Sequence, residues 1–217
     1  MDKSIKQQVS NFLLQRDYIG LLDLCESDRQ FWGALRLCHY ESDENLRWPA
    51  IEATAGLMKR WWQASHEEKV REYIRGQLWS ITDESGGIGW SAPQTIAEVI
   101  VLIPELLEPY GSIMIGRALE EPPLVKSGLW GIGRLGEQIR EAVEVFQDMV
   151  LGVFRSDDAE TLGLAAWAMG EAGFAPAVPS LEMLKDRKEP VRIYCNGSFR
   201  EKLLGQWAKD AIAKIAQ

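Results

Sequence analysis

Histidine and cysteine are scarce in this chain of 217 residues. It has two histidines and three cysteines, namely His39, His66, Cys25, Cys38 and Cys195. The cysteines are odd in number and fit no metal-ligand spacing, which predicts reduced thiols and a cytoplasmic protein. His66-Glu67 is the only adjacent His-Glu pair, and glutamate is common at the start of any helix. We therefore expect no bound metal and no cofactor, and no catalytic constellation stands out.

The chain also lacks long apolar segments and an excess of basic charge. Its most apolar run, 99–107, contains Pro104 and Glu105 and is too short to span a bilayer. The N-terminus is polar and has no signal-peptide character. There are 24 lysines and arginines against 32 aspartates and glutamates, so the net charge is −8. Because nucleic-acid binding needs basic side chains to neutralise phosphates, we expect neither a membrane nor a nucleic acid as partner.

Apolar and aromatic residues are abundant, and their spacing is helical. Hydrophobic residues make up 46% of the chain, which includes nine tryptophans, enough for a sizeable core in a single domain spanning 1–217. Apolar side chains recur near a 3.6-residue period along most of the sequence. The helices predicted from this spacing cover residues 3–16, 18–25, 28–39, 66–82, 92–107, 112–120, 124–135, 142–154, 158–172 and 176–185, with further helices around 51–62 and 199–215.

The stretch 79–100 shows how these helices are joined. Ser65 and Glu68 have capping-box spacing, as do Ser91 and the glutamine three residues later, which predicts where the two helices begin. The loop between them is expected to turn through a positive φ at Gly86 or Gly87. Near the C-terminus, Asn196-Gly197 favours a two-residue turn, and we predict a small β-hairpin at 191–199.

Two internal repeats indicate how the helices are arranged. Gly128–Gly133 aligns with Ala165–Gly170 at an offset of 37, and Trp48–Ala50 aligns with Trp90–Ala92 at an offset of 42. Offsets of roughly 40 with two helices per unit are typical of HEAT-type α-solenoids. The segment Leu164–Gly173, followed by Ala-Pro-Ala-Val-Pro-Ser-Leu, resembles bacterial HEAT-repeat proteins of the phycobilisome-lyase type.

This resemblance implies an all-α fold, a right-handed α-solenoid of HEAT-like, armadillo-type helix pairs. Residues 1–40 would form an N-terminal cap that matches the repeat weakly, and 188–217 a last repeat interrupted by the hairpin. A fold does not define an activity. We expect a non-enzymatic protein-binding or scaffolding module, and the alternative is a lyase-like enzyme or accessory factor acting on a bilin or another tetrapyrrole.

Candidate partner-binding residues are few. Trp61 and Trp62 are adjacent and cannot both face the core, so one of them is expected at the surface. The spacing does not show which one, and Trp61 is taken as the candidate partner contact. The other candidates are Asp83, Glu84, Ser85 and Trp90. The three polar residues also fit a solvated helix end, and Trp90 also fits packing beneath a helix start. The inner face of the solenoid is expected to come from the second helices of the pairs, at 66–82, 112–120, 141–154 and 176–186. The sequence leaves the partner protein and the oligomeric state open.

Overall fold

The computed structural model describes residues 3–82 and 89–217, and this part of the chain is mostly helical with one small sheet. The helices are α1 (Lys3–Gln15), α2 (Tyr18–Ser27), α3 (Arg29–Cys38), α4 (Glu44–Gln63), α5 (Glu67–Trp79), α6 (Ala92–Leu102), α7 (Leu107–Glu120), α8 (Val125–Leu135), α9 (Arg140–Val145), α10 (Gln147–Val153), α11 (Ala159–Ala172), α12 (Val178–Leu184) and α13 (Leu204–Ile215). The strands are β1 (Pro190–Cys195) and β2 (Ser198–Leu203). None of the described helices is both long and apolar enough to cross a membrane.

The helices pack in an order that follows the chain. Helices α4, α6, α8, α11 and α13 each pack against the next in that series. The helices between them pack on members of this series, α5 on α4, α7 on α6 and α12 on α13, and α7 also contacts α5 and α9. At the N-terminal end, α1, α2 and α3 all pack on α4. One continuous hydrophobic core runs through the described residues from Ile5 to Ala211.

Glycines at equivalent positions of α8 and α11 let these helices approach their neighbours closely. A Cβ added at Gly133 would lie 2.5 Å from the ring of Trp167, and one at Gly170 would lie 2.7 Å from the Cα of Ala211. Both distances are shorter than van der Waals contact. Close packing by a neighbouring helix thus accounts for the glycines at these two positions.

Several predicted boundaries and caps are wrong. The helix predicted at 92–107 stops at Leu102 before Pro104, and the stripe 142–154 is divided at Phe146 into α9 and α10. Residues 199–203 belong to β2 rather than to the last helix. Ser91 precedes α6 but makes no capping bond, because its hydroxyl donates to the carbonyl of His39 at 2.8 Å.

Three further predictions have different outcomes. Ser65 has a φ of 61° and lies outside α5, and His66, which directly precedes that helix, makes no side-chain capping bond. Gly86 and Gly87 lie outside the described residues. The hairpin is confirmed: Asn196 and Gly197 both have positive φ, 50° and 80°, and Cys195 pairs with Ser198 across a two-residue turn.

His39, at the end of α3, connects three helices in the core. Its Nε2 lies 2.8 Å from the hydroxyl of Thr54 on α4, and its Nδ1 lies 3.2 Å from the hydroxyl of Thr95 on α6. Thr95 donates its proton to the carbonyl of Ser91 at 2.7 Å, so it accepts from His39. Nδ1 therefore carries the proton and Nε2 accepts from Thr54. Burial lowers the pKa of His39 to about 4, which keeps the ring neutral at neutral pH.

We expect this buried histidine to make the protein less stable in mild acid. Between pH 6.5 and about 4 the unfolded chain takes up a proton at His39 that the folded chain does not, so stability is lost as the pH falls through this range. The loss at the low end is on the order of 3 kcal/mol. Urea unfolding across this range would measure it. His39→Gln should flatten the dependence, whereas His66→Gln, at the exposed histidine, should not; equal slopes for all three proteins would contradict the assignment.

The glycine packing makes a second prediction. Gly170→Ala should lower the free energy of unfolding by about 1–3 kcal/mol, although alanine is the better helix former, because the new methyl group meets the backbone of Ala211. The control is Gly76→Ala in α5, where an added Cβ meets nothing within 4 Å. It should raise stability by up to about 1 kcal/mol. Denaturant unfolding of both variants is the measurement, and a stabilising Gly170→Ala would show that the two helices have room to separate.

Candidate functional site

The β-hairpin reaches from the C-terminal end of the chain back to the N-terminal helices. The ring of Tyr194 in β1 stacks on that of Trp48 in α4, with centroids 4.4 Å apart and planes 7° from parallel. Trp130 in α8 donates from Nε1 to the carbonyl of Tyr194 at 2.7 Å, and Trp207 in α13 donates to that of Val191 at 3.1 Å. Tryptophans from three helices thus fix the position of β1.

A polar cluster around the hydroxyl of Tyr194 also attaches the hairpin to the N-terminal helices. The hydroxyl of Tyr194 donates to Glu52 at 2.7 Å and accepts from Arg16 at 2.8 Å. Arg16 also pairs with Glu52 at 3.0 Å, and Tyr18 donates a short hydrogen bond to the same carboxylate. Burial, reinforced by the hydrogen bond to Glu52, raises the pKa of Tyr194, so its hydroxyl stays protonated. The cluster joins β1 to α2, α4 and the turn between α1 and α2.

A cavity of about 350 Å³ lies between the hairpin and the helices. Its helical walls come from the first two turns of α4, α6, α8 and α11, together with the residues that lead into α4, α6 and α8. Six side chains of tryptophan, tyrosine or phenylalanine line it: Tyr40, Trp48, Trp90, Trp130, Tyr194 and Phe199. Its volume is in the range of sites that bind small molecules or short segments of chain.

Two buried polar atoms at this cavity have no hydrogen-bond partner in the part of the chain that the structure describes. They are Nε1 of Trp48, whose side chain is almost fully buried, and Oε1 of Gln94. Leaving such a group unpaired costs about 1–3 kcal/mol, and nearly all buried polar groups in native proteins are paired. The two orphaned atoms lie on residues of one cavity, and one is a donor and the other an acceptor.

The charged side chains around the cavity neutralise one another. Arg47 and Arg192 both pair with Glu44, the first at 3.1 Å, and Arg192 also lies over the ring of Phe199 at 4.0 Å. Lys126 pairs with Glu160 across the start of α11. With Glu41 counted, the lining holds three basic and three acidic side chains, so neither charge is in excess for an occupant.

The cysteines offer no nucleophile. Burial raises the pKa of Cys25 to about 12 and the pKa values of Cys38 and Cys195 to about 11, so all three thiols are protonated at neutral pH. Among the described residues, no group of three or more histidines, cysteines, aspartates or glutamates could hold a metal ion.

The partner-binding residues predicted from the sequence do not all lie at this cavity. Trp90 lies at the cavity and is 53% exposed. Trp61 is a core residue, 6% exposed, packed edge-on to Trp32 and covered by Lys69, so choosing it as a surface contact was wrong. Trp62 is the partly exposed member of the pair. Asp83, Glu84 and Ser85 lie outside the described residues.

The four ranges predicted to form the inner face do not line this cavity. The cavity is lined instead by α4, α6, α8 and α11, and sequence reasoning missed Trp48, Gln94 and Tyr194. A signal for the first existed, because Trp48 aligns with the exposed Trp90 in the internal repeat. No comparable signal indicated that Tyr194 lies against Trp48, since that contact joins the two ends of the chain.

Comparison with known proteins adds little about function. No family model matches this chain. It is 29% identical over 138 residues to an uncharacterized protein of Archaeoglobus fulgidus, an alignment that covers 62% of this chain and 70% of that protein. This similarity supplies no activity, so functional inference depends on the site itself.

The tyrosine cluster can be tested directly. Tyr194→Phe keeps the stacked ring but removes one hydrogen bond from Glu52 and one from Arg16, and we expect it to lower the free energy of unfolding by about 1–3 kcal/mol. The matched control is Tyr40→Phe at an exposed tyrosine, which should change stability by less than about 0.5 kcal/mol. Denaturant unfolding compares the two. Equal stability of both variants would show that the stack alone holds the hairpin.

Proposed function

We propose that the protein is a non-enzymatic protein-binding module, built as a right-handed solenoid of HEAT-like helix pairs. Support for the solenoid comes from the chain-order packing of α4, α6, α8, α11 and α13, with the intervening helices packed on this series. The repeat with an offset of 37 agrees with this order, since Trp130 and Trp167 occupy corresponding positions in α8 and α11 and their ring centroids lie 6.3 Å apart. Solenoids characteristically offer extended surfaces to other proteins.

The observation that carries the functional proposal is the aromatic cavity beneath the hairpin. It combines an exposed tryptophan at its edge, Trp90, with buried aromatic walls and two unpaired hydrogen-bonding atoms. Binding sites in proteins commonly combine an apolar wall with a few placed polar groups. Tryptophan is also among the residues that contribute most at protein interfaces.

We expect affinity purification from the native cell extract to recover a partner protein whose capture depends on Trp90. Trp90→Ser should reduce recovery at least tenfold, because truncation of an interface tryptophan commonly removes 2 kcal/mol or more of binding energy. Trp79→Ser is the matched control: this tryptophan is 57% exposed and does not line the cavity.

Three outcomes of this experiment are informative. Loss of capture with Trp90→Ser alone supports the proposal. Equal loss or equal retention in both variants contradicts it, because the cavity would then have no special part in binding. A second arm incubates the purified protein with a bilin or with haem. A new absorbance band that Trp90→Ser abolishes would instead favour a role as a tetrapyrrole-handling factor.

A further inference from the structure

We propose that the cavity beneath the hairpin holds a short peptide segment of the partner, whose backbone pairs with Trp48 and Gln94 and whose apolar or aromatic side chain packs against the tryptophans. This inference rests on the proposed function and specifies the partner's chemistry. It is based on the size of the cavity, on the two orphaned polar atoms of its lining residues and on its balanced charge.

The cavity is small, and its lining side chains lie close together. It is bounded by α4, α6, α8 and α11, and the ring centroids of Trp48 in α4 and Trp130 in α8 are only 4.7 Å apart. A volume of about 350 Å³ accommodates a short segment of chain.

The orphaned atoms complement a peptide group. The indole N–H of Trp48 is a donor that requires a carbonyl, and the side-chain oxygen of Gln94 is an acceptor that requires an N–H. A peptide backbone supplies both groups from any residue other than proline. Both atoms are covered by their neighbours in the free protein, so binding includes a small movement of the surrounding side chains.

The charge distribution indicates which side chain would accompany that amide. Arg47, Arg192 and Lys126 are already paired with Glu44 and Glu160, so a charged residue of the peptide would have to compete with an existing ion pair. An apolar or aromatic side chain incurs no such cost and gains contact with Trp48, Trp90 and Trp130. We therefore expect an aromatic residue in the bound segment.

The test uses a defined probe, the blocked peptide acetyl-Gly-Gly-Phe-Gly-Gly-amide, measured by ligand-observed NMR and by titration of the labelled protein. The peptide should bind, and it should bind more weakly when phenylalanine is replaced by glutamate or when the backbone amide of phenylalanine is N-methylated. Trp48→Phe and Gln94→Leu remove the donor and the acceptor, and each should weaken binding about fivefold. Trp79→Phe and Gln138→Leu, which alter exposed residues away from the cavity, are the matched controls and should leave affinity unchanged.

Stability measurements keep the test decisive if Trp48→Phe disturbs packing. Because Oε1 of Gln94 has no partner among the described residues, Gln94→Leu should leave the melting temperature unchanged or raise it while weakening peptide binding. A lower melting temperature with unaltered binding would assign Gln94 a structural role and overturn the inference. So would equal peptide affinity across all four variants.

Failure here is separable from failure of the proposed function. If Trp90→Ser abolishes capture of the partner while Trp48→Phe and Gln94→Leu leave both capture and peptide binding intact, the binding module stands and the peptide assignment is wrong. If no variant affects capture, the cavity has no role in partner binding and both proposals fall.

Discussion

The stack of Tyr194 on Trp48 is the contact that joins the two ends of this helical array. Helices packed in chain order contact mainly their neighbours, and such an array is held together locally. Here the hairpin near the C-terminal end contacts the N-terminal helices. Besides stacking on Trp48, Tyr194 forms hydrogen bonds with Glu52 and Arg16, which lie 142 and 178 residues earlier in the sequence. Without these contacts the hairpin would have to be held by α8, α11 and α13 alone.

The candidate cavity depends on this contact between the hairpin and the N-terminal helices. One wall of the cavity is the hairpin, so the aromatic lining is assembled only when the ends of the chain meet. The hydroxyl of Tyr194 and two carbonyls of β1 are satisfied where the strand is anchored, by Glu52, Arg16, Trp130 and Trp207. The two unpaired atoms, in contrast, belong to Trp48 and Gln94 on the helices that line the cavity. Trp48 therefore has both roles, since its ring holds Tyr194 and its Nε1 is left unpaired.

Local features of the sequence predicted local structure well. Helical periodicity located most helices, and Asn196-Gly197 located the turn, because both depend on neighbouring residues. The cap predicted at Ser91 failed because its hydroxyl is used in a tertiary contact with His39, 52 residues away. Trp61 was assigned to the surface because spacing shows that two adjacent tryptophans diverge but not which of them faces the core. The docking of the hairpin, and with it Tyr194, depends on non-local contacts that no periodicity records.

The packing of successive helices and the docking of the hairpin require different features of the sequence. Packing of α8, α11 and α13 requires small residues at repeated positions, and the repeat therefore displays them at Gly133 and Gly170. Closure by the hairpin requires single residues that occur once, such as Tyr194. Bringing distant segments together has an entropic cost that grows only slowly with their separation, so a few good contacts are sufficient to close a long chain. A site that depends on such single residues is not recorded in a repeat pattern. For this reason the helices could be predicted from the sequence, whereas the cavity is seen only in the folded structure.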